Sequence, residues 1–115
     1  MNDLESLRDR LREFSAARDW DQFHSPKNLA MALAGEAAEV LEVFQWLTEE
    51  QSRGLDAKAH AAVAEEIADV LLYLVRLADK LGIDPIAAAQ AKLAENERKY
   101  PADKARGNAK KYTEL

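Results

Sequence analysis

Leu4, Leu7, Leu11 and Phe14 recur three or four residues apart at the start of the chain. That spacing puts them on one helix face and predicts a helix from Asp3 to about Arg18. The period then breaks at Asp19-Trp20-Asp21-Gln22-Phe23-His24, which reads as a loop carrying two large aromatics. Ser25-Pro26 restarts the pattern, with serine as N-cap and proline at the first helical position. The second helix is expected to reach about Thr48, with Leu29, Leu33, Val40, Val43 and Leu47 as its apolar stripe. Glu49 to Asp56 reads as a polar connection. A third helix follows from about Ala57 to Leu81, with Val63, Ile67, Val70, Leu74, Leu77 and Leu81 on one side, and Gly82 is suited to end it. Asp84-Pro85 repeats the cap-and-proline start. The fourth helix runs to about Lys99, where Pro101 forbids an easy continuation.

Four helices with short connections imply an all-α helix bundle. Leu41, Leu71, Leu72 and Val75 lie off the stripes just named, so the long central helices are apolar on more than one side. A core completed by homo-oligomerisation, as a dimer or tetramer, is therefore expected. The 115 residues suffice for one domain, read as 1–100, followed by a basic, extended tail over 101–115.

Charge sharpens the picture. From Lys92 to Leu115 seven basic residues face four acidic ones, a balance of +3, which leaves −8 for the rest of a chain whose net charge is −5. A basic tail on an acidic body suits a small phosphate-bearing ligand better than duplex nucleic acid, which takes a broad basic face; a solvated polar terminus accounts for the charge equally well. The chain has no cysteine, which excludes thiolate chemistry. With Asp3, Glu5 and Asp9 at the start no signal peptide is read, and no apolar run is long enough for a membrane span. The expected location is the cytoplasm.

The informative residues are Glu36, Glu39, Glu66 and Asp69. Each pair is three residues apart, so each shares a helix face, and two facing helices would converge four carboxylates on one spot. Glu36 lies between Leu33 and Val40, and Glu66 between Val63 and Val70. Both thus interrupt apolar stripes that carry no lysine or arginine. An ionised carboxylate buried without a partner is costly, and a divalent cation is the simplest compensation. Oxygen-only ligation favours Mg²⁺, with Mn²⁺ as substitute. The two histidines, His24 and His60, do not supply the Glu-x-x-His pattern of di-iron bundles. Taken singly, each acidic motif is an ordinary surface pattern, and only the pair on core stripes shifts the balance toward a metal site.

The run Gly35-Glu36-Ala37-Ala38-Glu39, then Phe44-Gln45-Trp46, then Glu65-Glu66-Ile67-Ala68-Asp69-Val70-Leu71-Leu72-Tyr73 resembles the MazG-like all-α nucleotide pyrophosphohydrolases. Arg18 to His24, Lys92 with Asn96, Arg98 to Pro101, Ala105-Arg106-Gly107 and Lys110 to Thr113 extend the likeness over nearly the whole chain, toward the dCTP pyrophosphatase branch. The resemblance implies hydrolysis of a nucleoside triphosphate to the monophosphate and pyrophosphate, Mg²⁺ dependence, and a house-cleaning role on the nucleotide pool. It implies Glu36, Glu39, Glu66 and Asp69 as metal ligands, with Glu39 or Glu66 in a catalytic role.

Trp20 and Trp46 are candidates to stack on the base, and packing in a core or interface is the plainer alternative for Trp46. Phe23 and His24 are better explained by packing and loop hydrogen bonding. Tyr73 is either a sugar or phosphate contact or a half-buried core tyrosine. Lys92 and Asn96 resemble the branch's phosphate-contacting pair. Lys110 and Lys111 are candidates to close over phosphates, with solvated lysines as the alternative. The branch carries a histidine in its first helix that faces the nucleotide; the matching stretch, Arg10 to Phe14, has none. Cytosine deoxynucleotides are the expected substrates. The competing readings are a dUTP-type or broad-specificity pyrophosphohydrolase, and a non-catalytic, metal-stabilised helical oligomerisation module.

Overall fold

The computed structural model describes residues 2–115, which among them form six α-helices, two single 3₁₀ turns and no strand. The helices are α1 (Asp3–Ala17), α2 (Pro26–Phe44), α3 (Glu49–Arg53), α4 (Ala57–Lys80), α5 (Pro85–Lys99) and α6 (Ala102–Ala105). They fall into two compact units, one ending at Gly82 and one running from Ile83 to Leu115.

In the first unit, α2 packs along α4 and α1 packs on α4. Each helix starts where a side chain takes over an orphan backbone N–H. Asn2 and Glu5 form a reciprocal capping box on α1, with the Glu5 N–H donating to Asn2 Oδ1 at 2.8 Å. Ser25 accepts from the Asn28 N–H, with Pro26 behind it. Asp56 accepts from the Ala59 N–H at 2.8 Å and opens α4. Gly82, at φ 67°, turns the chain through the left-handed region after α4 ends. The buried residues come from the unit's three long helices: Ser15 of α1, Leu29 of α2, and Val75, Arg76 and Ala78 of α4.

In the first unit two expectations need correction. The second helix stops at Phe44, short of Thr48, and the supposed polar connection contains α3. Thr48 starts a helix there instead of ending one. It accepts from the Gln51 N–H at 3.1 Å, and its own N–H donates to Gln51 Oε1 at 3.0 Å. The segment between α1 and α2 is also more ordered than a loop, because Asp21–Phe23 winds into a 3₁₀ turn. Asp19 precedes it at φ 54°, a conformation aspartate tolerates, and the Trp20 N–H returns to the Ser15 carbonyl at 2.9 Å.

In the second unit, Asp84 caps α5 by accepting from the Ile86 and Ala87 N–H groups. The residues after Pro101 are not simply extended. They form α6, a left-handed turn at Gly107 and a 3₁₀ turn at Tyr112–Glu114. The Tyr112 ring meets Tyr100 edge-on at 6.0 Å and lies 4.8 Å from the Lys99 ammonium, so the end of the chain folds back on the end of α5.

Candidate metal and nucleotide site

Helix α2 carries Glu36 and Glu39 one turn apart, and α4 carries Glu66 and Asp69 likewise. Packing α2 along α4 brings the four together, each offering an oxygen within 4.8 Å of the others. Glu36, Glu66 and Asp69 are half-buried, while Glu39 is exposed. No lysine, arginine or histidine pairs with any of the four among the described residues. Glu36 Oε2 and Glu66 Oε2 are buried and without a hydrogen-bond partner.

So many like charges cannot all stay ionised in a bare site. A proton shared with Glu39 pushes Glu66 up to about 7, helped by partial burial and by the negative charges of Glu39, Asp69 and Glu36. Glu36 is raised for the same reasons, with the Glu39 hydrogen bond first. Two orphaned oxygens, on two carboxyls whose pKa is raised by their neighbours, fit an oxygen-ligand cage that a hard cation would complete. The donor set fits a divalent metal of the Mg²⁺ type.

Next to the cluster lies a cavity of about 180 Å³ lined by Leu11, Phe14 and Ser15 of α1, Trp20 and His24 of the connecting segment, and Asp69, Leu72, Tyr73 and Arg76 of α4. Asp69 belongs to both cluster and cavity. The space is below the ~300–1,000 Å³ usual for a drug-sized ligand, so it suits one ring and not a whole nucleotide. Trp20 is held by an edge-to-face contact with Phe14, centroids 5.6 Å apart.

The other candidate residues are distributed differently. Trp46, just past α2, is 87% exposed and outside this cavity. Lys92, Asn96, Lys110 and Lys111 are in the second unit. There Lys92 lies 3.6 Å from Glu95, the Lys110 N–H donates to Asn108, and Lys111 precedes the last 3₁₀ turn.

A family model described as the MazG-like family matches residues 32–115, which span all four carboxylates and the second unit. This chain belongs to the MazG-like family. Its relatives include human dCTP pyrophosphatase 1, 46% identical over 114 residues that make up 97% of this chain and 67% of the human protein. The bovine dCTP pyrophosphatase 1 is 44% identical over 97% of this chain and 68% of its own length. A crystal structure of a pyrophosphatase from Archaeoglobus fulgidus superposes with a TM-score of 0.82 at 45% identity, covering 88% of this chain and 94% of that one.

The MazG-like chain also has a polar group that the sequence pattern does not single out. Arg76 is buried beside the cavity, where its Nη2 donates to Asp21 and its Nε to His24 Nδ1 at 3.1 Å. Lys80 holds the same Asp21 oxygen at 2.5 Å. Asp79 pairs with Arg76 at 3.5 Å and with Arg12 of α1 through two hydrogen bonds of 2.5 and 2.8 Å. These cations hold both aspartates below the usual carboxylate range, Lys80 contributing most at Asp21 and Arg12 at Asp79. The only sequence signal is a charged residue inside the apolar run Leu71 to Leu77, since two of its three partners, Asp21 and His24, lie more than fifty positions away.

Proposed function

We propose that this protein is a nucleoside triphosphate pyrophosphohydrolase acting on dCTP or a modified dCTP, with Mg²⁺ as its metal and nucleotide-pool cleaning as its role in the cytoplasm. The observation that carries the reading is that Asp69 is shared between the carboxylate cluster and the ring-sized cavity. A nucleotide has the same layout, with a flat base at one end and a polyphosphate at the other. The relatives named dCTP pyrophosphatase 1 support the base and the bond chosen.

Glu36, Glu39, Glu66 and Asp69 would hold the metal, which when bound neutralises phosphate oxygens and lowers the pKa of water. Trp20 supplies a flat face for the base, and Tyr73, which lines the same cavity, a hydroxyl for sugar or phosphate. We assign exposed Glu39 to orienting the attacking water and accepting its proton. Water oxygen bonds to the α-phosphorus, the α–β phosphoanhydride breaks, and pyrophosphate leaves with the bridging oxygen. Lys92, Asn96, Lys110 and Lys111 are assigned to the polyphosphate, and Trp46 to the base or to a subunit contact. The working form is a homo-oligomer, a dimer or tetramer, because a single chain exposes Leu41, Ile67, Leu71 and Leu74.

Pyrophosphate release from a panel of dNTPs and NTPs, with Mg²⁺ and with EDTA, tests the reading. Metal-dependent release led by dCTP is expected. No release from any nucleotide, modified dCTPs included, would remove the catalytic reading, and release led by a purine would remove the assignment of the cavity.

A further inference from the structure

Arg76 is 6% exposed, and a buried guanidinium must find acceptors for its donors. Two of its partners, Asp21 and Asp79, are carboxylates, as expected for a buried cation. The third is not. An imidazole nitrogen accepts a hydrogen bond only when it carries no proton, and a guanidinium has donors alone. The 3.1 Å bond from Arg76 Nε to His24 Nδ1 therefore requires a neutral ring with its proton on Nε2. Burial and then the Arg76 cation also lower the pKa of His24.

Both residues line the cavity, with Trp20 and Tyr73. We infer that Arg76 is a positioning residue for base recognition: it fixes His24 as the Nε2–H tautomer, so that the ring meets the nucleobase as a hydrogen-bond donor. This rests on the hydrolase reading above. The consequence is selectivity at a pyrimidine edge. Cytosine offers adjacent acceptors at O2 and N3, whereas uracil interposes an N3–H that a fixed donor cannot satisfy. Sites that pair a buried polar group with substrate discriminate through the group left unpaired by the wrong one.

The fold does not depend on Arg76 for its neighbours' charge balance. Without it Asp21 keeps Lys80, and Asp79 keeps Arg12. Arg76→Met retains the apolar stem while removing the donor.

The test combines ¹⁵N-histidine NMR with kinetics on the Mg²⁺-loaded protein, whose only histidines are His24 and His60. For His24 an unprotonated Nδ1 and a protonated Nε2 are expected. Arg76→Met should give a mixture of tautomers, while Lys80→Met, which removes only the other cation on Asp21, should not. Arg76→Met should raise KM for dCTP on the order of tenfold, the scale of one hydrogen bond, with a smaller change in kcat and a reduced preference for dCTP over dUTP. His24→Phe should erase that preference outright, and it decides the matter if Arg76→Met does not fold. A protonated Nδ1 in the unmodified protein overturns the inference. So does a dCTP-to-dUTP preference that stays constant while the tautomer shifts. Absence of turnover in the unmodified protein would sink the hydrolase reading first, with base recognition along with it, before any Arg76 variant is compared.

Discussion

Glu66 makes the clearest case for a residue whose surroundings are incomplete without a cation. Glu66→Gln or Glu36→Gln should abolish metal-dependent turnover while leaving helical circular dichroism intact, because each removes a charge that has no protein partner. Retained turnover in both variants would end the carboxylate-site model. The pH dependence follows from the same residues. A carboxyl whose folded pKa lies above its unfolded value keeps its proton longer in the native state, so stability is greatest at low pH and falls as pH rises. For metal-free protein the window runs from about 4.5 to about 7, set by Glu66. His24, with its lowered pKa, acts in the opposite direction near its ordinary value, so the comparison must be between the unmodified protein and Glu66→Gln. Denaturant unfolding at several pH values should show a fall with pH in the former that the latter lacks. Saturating Mg²⁺ should reverse its sign, because protons and metal compete for the same oxygens.

At the scale of elements, the long helices were legible because local signals agreed. Ser25-Pro26, Asp56 and Asp84-Pro85 each cap a helix in the structure, and the acidic pairs on α2 and α4 converge as their spacing implies. What escaped was short or depended on distant contacts. Helix α3 spans five residues, too few to show an apolar period, and only the Thr48–Gln51 box announces it. The order after Pro101 relies on rings at Tyr100 and Tyr112 meeting across a turn. Arg76 carries no sequence signal of its role, because two of its three partners, Asp21 and His24, are remote in sequence. Since α4 holds two of the four carboxylates and Arg76, its start matters. Asp56→Ala should cost about 1 kcal/mol, the usual loss for an N-cap, and lower the thermal midpoint by a few degrees. An unchanged midpoint would mean the cap adds nothing to a helix already held by packing.

For the whole molecule, the incomplete burial of α2 and α4 sets the expectation. The stripe read on the third predicted helix is only partly covered, for Ile67, Leu74 and Leu81 remain exposed. Leu41, Leu71 and Trp46 are exposed as well, and a second copy that covered these side chains would remove apolar area from water. Sedimentation velocity should give a mass of two or four chains, and Ile67→Glu with Leu71→Glu should lower it. A monomer at high concentration would remove the subunit model and leave the surface for another partner. The ion pairs at Arg76 and Lys80 have a different consequence. They tie the turn bearing Trp20 to the same helix that holds Glu66 and Asp69. Asp69 and Arg76 are seven residues apart, about 10 Å along a helix axis. Helix α4 thus carries the carboxylate cluster and one wall of the ring cavity on a single element, with Asp69 common to both, so the offset between the two is set by helical geometry and not by a loop.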